Sequence, residues 1–293
     1  MRSTPFISTS LFAAALLPTL TVAIAAPLYD GLNVIWQDEF AGAAGTLPDA
    51  RSWNVVAGNL NINGELETYE ASNRNVQISG GGTLQLVPWK DGSGGSWTSG
   101  RVETKASFAP TPGKLTRVEG SLRMGSHAAA QKQGLWPAFF LLGEAMRTGT
   151  PWPLCGELDI LEQRNGVLTG YGTAHCGTAS GGICNEPNGR GGTTTMPADT
   201  DSAFHRWSVT WDLTNMANWQ AQQIVWSLDG APYFTLTGQA VGDQGTWSIL
   251  AHSPFYIILN VAVGGGFPGY PNGATQDGYG SMLEAQYVAV YST

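Results

Sequence analysis

The sequence predicts an all-β chain that folds as one antiparallel sandwich. Glycine and proline are abundant, with 39 and 16 residues among 293, which suits many short strands joined by tight turns. About a dozen segments between those turns alternate apolar and polar side chains or are apolar throughout. No amphipathic helical pattern and no linker-like break occurs between Pro27 and Thr293, so we expect a single domain there.

The first 26 residues have the pattern of a secretory signal peptide. Arg2 precedes a short apolar stretch over residues 11–24, which ends in the small residues of Ala23–Ala26. A membrane anchor is the alternative, but the apolar stretch is short and interrupted for a span. We therefore expect cleavage near Ala25 or Ala26, which would leave residues 27–293 as a secreted, extracellular catalytic or binding domain.

The charge balance argues against several classes of partner. The chain has 14 Lys and Arg against 22 Asp and Glu, a net charge of −8, and no basic patch. Nucleic acid and anionic membrane surfaces are therefore not expected as partners. With 11 tryptophans, the sequence suits an uncharged ligand better, and we expect the protein to be monomeric.

The predicted strands share a two-residue alternation, except for the apolar run at 135–142, which suits a strand covered on both faces. A hairpin signal, Asn165-Gly166, follows the acidic strand at 157–162. In chain order the predicted strands are 34–36, 83–87, 102–108, 117–124, 135–142, 157–162, 171–176, 207–211, 224–228, 256–263 and 287–291.

Three cysteines are present, Cys155, Cys176 and Cys184, so at most one intrachain bridge can form, in any of three ways. We favour Cys176 with Cys184, because these two lie close together around the glycine-rich turn at 180–182. Cys155 then remains a free thiol on the acidic side of its strand. No second Cys/His cluster lies nearby, so no metal site is expected.

The strand Glu157-Leu158-Asp159-Ile160-Leu161-Glu162 carries three carboxylates separated by aliphatic residues. Alternation puts Glu157 and Asp159 on one face, but the odd offset of Glu162 would put it on the apolar face. A β-bulge near Ile160-Leu161 would return Glu162 to the acidic face. The alternatives are a solvated strand with unrelated acids and a Ca²⁺ cluster, although no ligand loop rich in Asp and Asn is present.

Two carboxyl groups on one face can hydrolyse a glycosidic bond, one as acid and the other as nucleophile or base. Crowding raises the affinity of at least one of them for a proton, which supplies the acid. Trp136, Trp152 and His175 lie near the acidic strand in sequence and suit sugar binding. Core packing is the alternative for Trp136, and a structural histidine is the alternative for His175. If the hairpin turns at Asn165-Gly166, His175 lies across from Glu157.

The acidic strand resembles the E-x-D-x-x-E signature of glycoside hydrolase family 16, in its laminarinase-like branch. Further segments match family landmarks in the same order, and the resemblance extends from about Leu32 to Tyr291. These segments are 36–40, 63–69, 98–101, 134–139, 207–212 and 254–265. The family's unbulged E-x-D-x-E version is typical of lichenases and transglycosylases, so the spacing here favours the laminarinase-like branch.

The resemblance implies a concanavalin-like jelly-roll β-sandwich of two antiparallel sheets, with an open cleft on its concave face. It also implies endo-hydrolysis of β-1,3-linked glucan with retention, with a preference for β-1,3 or mixed β-1,3/1,4 linkages left open. By motif position, Glu157 would be the nucleophile, Glu162 the acid/base and Asp159 the assisting carboxylate. The implied sugar contacts are Asn63, Arg101, Glu119, Trp136, Trp152 and His175.

Two departures from the family pattern bear on the predictions. Gln286 stands where many relatives have an Asp that holds a structural calcium, and a neutral amide is a poorer ligand, so we expect no cofactor. Phe140 stands where relatives often have a second Trp, which we assign to packing. A glucan-binding protein without activity and a cell-wall transglycosylase are the alternative functions on the same fold.

Overall fold

The computed structural model describes residues 23–92 and 95–293. Most of the predicted signal peptide lies outside the described residues, so it stays a prediction, as does the domain boundary at Pro27. Within the described ranges, no helix has the length and apolar character needed to cross a membrane.

The regular secondary structure of the described chain is mostly β-strand. In chain order they are β1 (Asn33–Asp38), β2 (Trp53–Val55), β3 (Glu67–Tyr69), β4 (Val76–Ile78), β5 (Leu84–Leu86), β6 (Trp89–Asp91), β7 (Ser96–Ser99), β8 (Arg101–Thr104), β9 (Leu115–Met124), β10 (Leu135–Gly143), β11 (Glu157–Glu162), β12 (Thr169–His175), β13 (Arg190–Thr195), β14 (His205–Asp212), β15 (Gln223–Leu228), β16 (Ala231–Thr237), β17 (Phe255–Val263) and β18 (Leu283–Ser292). Two short helices, α1 (Gly238–Val241) and α2 (Gln244–His252), precede β17.

Two antiparallel sheets face each other. We call the sheet with the order β13-β12-β11-β10-β17-β8-β2 the site sheet, because it contains the acidic strand β11. The other, with the order β16-β15-β14-β9-β18-β5-β4 and β1 paired to β18, is the back sheet. The prediction of an all-β antiparallel sandwich is confirmed. A small third sheet, β3-β7-β6, contains the parallel pair β3 and β7, which the sequence did not predict.

The main core lies between the two sheets. Trp207 and Trp226 of the back sheet and Phe139 of the site sheet are fully buried in it. The opposite face of β10 contributes Phe140 and Leu142 to a second buried cluster. The prediction that β10 is covered on both faces is therefore confirmed, and each large apolar side chain buried in this way contributes about 1.5–3 kcal/mol.

The elements that the sequence missed are short or lack an apolar pattern. β13 reads Arg-Gly-Gly-Thr-Thr-Thr, with no apolar side chain to signal alternation. Helix α2 begins after Asp243, whose side chain accepts a hydrogen bond from the backbone of Thr246 as an N-cap. The helix buries Trp247 and Leu250, but it is too short for its period to be visible in the sequence.

The cysteines pair as expected. Cys176 and Cys184 form a disulfide whose Cα atoms are 5.4 Å apart, and Cys155 is a buried free thiol. Cys155 packs with Phe140 and Tyr256 on the face of the site sheet that carries the acids.

Candidate active site

The acidic strand β11 contains the predicted bulge. Along β12, Asp159 pairs with Thr173 and Glu162 with Tyr171, so Ile160 and Leu161 together oppose the single residue between those partners. Along β10, Phe139 pairs with Leu161 and Phe140 with Asp159, which leaves Ile160 as the extra residue. The sequence-based prediction of a bulge near Ile160-Leu161 is confirmed.

The bulge divides the side chains of β11 cleanly between the two faces. Leu158, Ile160 and Leu161 are all fully buried in the core between the sheets. The alternation then places Glu157, Asp159 and Glu162 together on the opposite face. Glu162 is 9% exposed and Asp159 is 3% exposed, so the acids are not a solvated strand face.

Two donors from the back sheet hold the backbone of the bulge. The indole Nε1 of Trp226 donates to the carbonyl oxygen of Asp159 at 2.7 Å, and the hydroxyl of Tyr233 donates to that of Ile160 at 3.2 Å. Gly172 of β12 lies against both, because a Cβ there would be 2.4 Å from the Tyr233 oxygen and 2.5 Å from Trp226 Cδ1. The carbonyl groups freed by the bulge are thus satisfied across the core.

Glu162 is oriented by a tryptophan. The Nε1 of Trp136, on the neighbouring strand β10, donates to Oε1 of Glu162 at 2.8 Å. The indole is half-buried and packs against Phe267 with ring centroids 5.2 Å apart. Trp136 therefore belongs to the acidic face, and its position is not that of a side chain in the main core.

A histidine lies between two carboxylates beside Glu157. His175 pairs with Glu157 across β12 and β11, as the hairpin at Asn165-Gly166 predicted. Its Nε2 is 3.3 Å from Oδ2 of Asp159, and its Nδ1 is 2.7 Å from Oε2 of Glu186. The ring of Trp152 lies 5.5 Å from the imidazole ring. Glu186 was missed by the sequence analysis, because it comes from a loop that carries no motif or periodicity.

Burial and neighbouring charges raise the pKa of both glutamates. Burial, followed by the charge of Asp159, raises the pKa of Glu157 to about 8. The same causes, with Glu157 added, raise the pKa of Glu162 well above its usual range. Burial alone would lower the pKa of His175, but its interactions with the carboxylates of Asp159 and Glu186 outweigh burial and raise this pKa to about 11. Near neutral pH the ring is an imidazolium.

Part of the same cluster has the composition of a metal site. Within the described ranges, ligand atoms of Glu157, Asp159 and His175 lie within 4.8 Å of one another, close enough to share one cation. Both ring nitrogens of His175, however, face carboxylates that keep the ring protonated, and a protonated imidazole cannot bind a metal. The donor set does not fit a metal ion.

Arg101 lies in the same row of the site sheet as Glu162. Register pairs Arg101 with Asn260, Asn260 with Ala138, and Ala138 with Glu162. The guanidinium is buried, pairs with Glu103 at 2.8 Å and lies 5.5 Å from the ring centroid of Phe140. Its charge favours the ionised form of Glu157.

Asn63 marks the end of the face near Arg101. Its side chain is exposed and donates to Oε1 of Glu65 at 3.0 Å. Burial, followed by the charge of Glu67, raises the pKa of Glu65 to about 8, while Arg101 opposes that shift. Glu65 thus accepts a hydrogen bond from Asn63 and is also affected by the charge of Arg101.

The prediction that Glu119 contacts sugar is wrong. Glu119 lies on β9 of the back sheet and is fully buried on the sheet's outer side. It accepts hydrogen bonds from the hydroxyls of Tyr29 at 2.8 Å and Tyr287 at 2.7 Å, and it pairs with Arg117. The position of Glu119 in the sequence suggested a sugar contact, but it did not show that β9 belongs to the back sheet. Glu119 is a structural acid.

Gln286 stands where the family resemblance implies a calcium ligand in many relatives. Oε1 of Gln286, on β18, accepts a hydrogen bond from the hydroxyl of Ser121 at 3.1 Å. Its neutral oxygen is thus engaged within the back sheet, where a carboxylate would be the stronger calcium ligand.

Comparison with known families decides the identity of this fold. The model of the glycosyl hydrolases family 16 matches residues 68–284. The chain belongs to this family. This family 16 domain superposes on the crystal structure of an endo-1,3-beta-glucanase from Streptomyces sioyaensis with a TM-score of 0.85, at 37% identity over 92% of this chain and 99% of that one. The sandwich is therefore the jelly roll of the family.

Two curated relatives are glucanases by name. Glucan endo-1,3-beta-glucosidase A1 of Niallia circulans is 30% identical over 90% of this chain, which spans only 38% of that protein's length. A beta-glucanase of Rhodothermus marinus is 28% identical over 88% of this chain and 85% of its own length. The family 16 domain thus corresponds to part of one relative and to most of the other.

Proposed function

We propose that this protein is an endo-β-1,3-glucanase that cleaves internal linkages with retention of configuration. The observation that carries the proposal is the bulge at Ile160, because it turns Glu162 onto the face that holds Glu157 and Asp159. Without that extra residue Glu162 would point into the core, and Asp159 would be the only other carboxyl group of β11 on the face of Glu157. The names of the similar proteins support β-1,3-glucan as the substrate.

The different neighbours of the two glutamates support their separate roles. Burial and the charges of Asp159 and Glu157 raise the pKa of Glu162, so it keeps a proton, which it donates to the glycosidic oxygen as the bond to the anomeric carbon breaks. Glu157 lies beside the cationic His175 and is also favoured as an anion by Arg101, so its carboxylate attacks the anomeric carbon. Glu162, now ionised, takes a proton from water, and that water releases the sugar from Glu157.

Asp159 is positioned between the two glutamates on the strand. Its negative charge raises the pKa of both neighbours, and its Oδ2 faces the imidazolium of His175. We assign it the role of assisting carboxylate, which keeps Glu162 protonated until the substrate arrives.

The aromatic residues around the acids suit a neutral sugar. We call Glu157, Asp159 and Glu162 on β11 the acidic row. Trp136 lies beside Glu162 and Trp152 beside His175, so half-buried rings border the acidic row near both of its ends. Apolar faces of glucose rings pack on such rings, while Arg101 and Asn63 supply donors for hydroxyl groups. Mixed β-1,3/1,4 glucans are included in the proposal as further substrates.

We also propose that the protein is secreted. The signal-like residues 1–26 support export, and the disulfide between Cys176 and Cys184 is a bridge that persists in an oxidising compartment.

Product analysis tests the proposal against the two alternatives. The protein is incubated with laminarin, lichenan, agar and xyloglucan, and new reducing ends are measured together with product sizes and the anomer first released. A hydrolase yields short β-1,3 oligosaccharides that appear first as the β-anomer. Longer products from added acceptors would indicate a transglycosylase. Absence of new reducing ends on every β-glucan, with binding retained, would indicate a glucan-binding protein.

A further inference from the structure

The loop closed by Cys176 and Cys184 delivers a buried carboxylate to the acidic row. Glu186 is 3% exposed, and its Oε2 lies 2.7 Å from Nδ1 of His175. Its other oxygen, Oε1, accepts a hydrogen bond from the backbone N–H of Cys176 at 2.8 Å. The carboxylate is therefore held at both oxygens, once by the strand and once by the ring.

The loop is built to hold that position. The disulfide ties Cys184, two residues before Glu186, to Cys176, the residue that follows His175. Gly181 and Glu186 exchange two backbone hydrogen bonds of 2.6 Å across the loop. Gly189 allows the chain to pass closely, because a Cβ there would lie 2.9 Å from Cε1 of His175. Both ends of the loop are thus fixed against the imidazole ring.

The orientation of the His175 ring determines which group faces Asp159. With Nδ1 engaged by Glu186, the ring has one remaining nitrogen, and Nε2 faces Oδ2 of Asp159 at 3.3 Å. Asp159 is 3% exposed, and its charge raises the pKa of both Glu157 and Glu162. A rotation of the ring would remove the counter-charge of Asp159 and disturb the two glutamates together.

We propose that Glu186, held by the loop that Cys176 and Cys184 close, is a positioning residue that fixes the ring of His175 against Asp159 in the acidic row. This inference rests on the proposed function for its kinetic consequences, but the orientation of the ring does not depend on any substrate. Glu186 contacts the acidic row through His175, and its charge also raises the pKa of Glu157.

The groups that face this ring come from two elements. Asp159 and Glu157 face it from β11, and Glu186 faces it from the disulfide loop, while Arg101 on β8 faces Glu157. Replacement of Glu186 by Gln keeps the size of the side chain and removes one of the three carboxyl groups around the ring. The ring should then lose its proton at lower pH than in the wild type, by roughly one unit or more.

The test uses Glu186→Gln in the full chain, with Glu284→Gln as the matched control. Glu284 is a buried, ion-paired glutamate on the back sheet, far from the acidic row in the fold. We expect kcat of Glu186→Gln on laminarin to fall on the order of 10²-fold with KM nearly unchanged, because misplacement by about 1 Å costs that much. The control should keep wild-type kcat.

Nitrogen NMR of the His175 ring supplies a readout that activity cannot give. His175→Gln identifies the resonances among those of the four histidines. In the wild type both ring nitrogens should stay protonated through neutral pH, whereas in Glu186→Gln the ring should titrate at lower pH. An unchanged ring titration in Glu186→Gln would overturn the proposal, whatever the kinetics. If the wild type hydrolysed no glucan, the proposed function would fail while this measurement still tested the role of Glu186.

The contribution of the disulfide is tested by Cys184→Ser, alone and combined with Glu186→Gln. If the bridge acts through Glu186, Cys184→Ser lowers kcat in the wild type but has little further effect in Glu186→Gln. A full multiplicative loss in the combined variant would contradict that part of the proposal. Should Cys184→Ser fail to fold, dithiothreitol treatment of the folded wild type and of Glu186→Gln makes the same comparison.

Discussion

The two sheets of the sandwich both bury glutamates, but they treat them differently. On the back sheet, Glu119 meets Tyr29, Tyr287 and Arg117, and Glu284 accepts hydrogen bonds from Arg123 and Gln85. On the site sheet, three acids share Trp136 and His175 as their partners. Donors and opposite charges therefore surround the acids of one sheet, while Glu157 and Glu162 of the other have a raised affinity for protons.

The difference shows what a buried carboxylate signifies in each place. A compensated acid contributes to stability, and its loss leaves its partners unpaired. An undercompensated acid reduces stability and supplies chemistry, because its pKa lies nearer the working pH. The following four expectations test this contrast, from the largest effect to the smallest.

Replacement of Glu157 should have the largest effect on turnover. Glu157→Gln keeps the shape of the side chain but removes the nucleophile, so we expect kcat on laminarin to fall by roughly 10⁴-fold or more. Laminarin binding, measured by calorimetry, should persist. Glu119→Gln serves as the control from the back sheet and should keep wild-type kcat. Activity of Glu157→Gln near that of the wild type would disprove the nucleophile assignment.

The effects of the same two variants on stability should be the reverse of their effects on turnover: Glu119→Gln should be the more destabilising of the two. Glu119→Gln leaves Arg117 without its counter-charge and should lower the free energy of unfolding by about 3 kcal/mol. Glu157→Gln removes a crowded carboxylate and should leave the free energy of unfolding unchanged or higher at pH 8. Urea unfolding of both variants measures this, and a larger loss in Glu157→Gln would remove the distinction between the sheets.

The raised pKa values of Glu157 and His175 should make the free energy of unfolding depend on pH. The pKa of Glu157 is raised from 4.5 to about 8, so the folded state binds its proton more tightly, and stability falls as pH rises through that window. The pKa of His175 is raised from 6.5 to about 11, so its contribution is full below 6.5 and is lost as pH rises towards 11. Each group contributes a slope of at most about 1.4 kcal/mol per pH unit.

Unfolding at several pH values checks this sign. The decline between pH 5 and 8 should flatten in Glu157→Gln, and the decline above pH 7 should flatten in His175→Gln. Glu284→Gln should keep the wild-type slope in both windows. An equal slope in all four proteins would show that the acids of the site sheet titrate normally.

Trp136→Phe should have the smallest effect. Phenylalanine keeps an aromatic ring but cannot donate to Glu162, so the transition state loses about 1–2 kcal/mol, or roughly tenfold in kcat/KM. The loss of that donor raises the pKa of Glu162 further and should move the alkaline limb of the kcat profile upwards. A limb that stayed in place would mean that the indole serves only to pack against sugar.

The sequence allowed the central part of the site to be predicted, because strand alternation is a strict local rule. The odd spacing between Glu157 and Glu162 violates that rule, and a bulge is the local solution, so the feature could be located to one residue pair. The position of His175 followed from the hairpin at Asn165-Gly166 in the same way.

The remaining features depend on contacts between segments that are distant in sequence, which the alternation of side chains along one strand cannot predict. Glu186 reaches His175 through a loop closed by a disulfide, and no pattern in residues 177–189 signals it. Glu119 shares the alternation of a site residue, but only the pairing of β9 reveals that it belongs to the back sheet. Helix α2 and strand β13 are specified by a cap and by neighbouring strands, so their own side chains give little signal.

The hydrogen bonds from Trp226 and Tyr233 to the bulge have a consequence for anyone who edits this protein. Transplanting the motif of β11 onto another sandwich would not transplant the site, because the two donors that fix its irregular backbone belong to the opposite sheet. Conversely, a thermostability screen that repacks the core around Trp226, or fills the space at Gly172, would alter catalysis without touching an acid. The spacing of the two glutamates therefore depends on residues of both sheets.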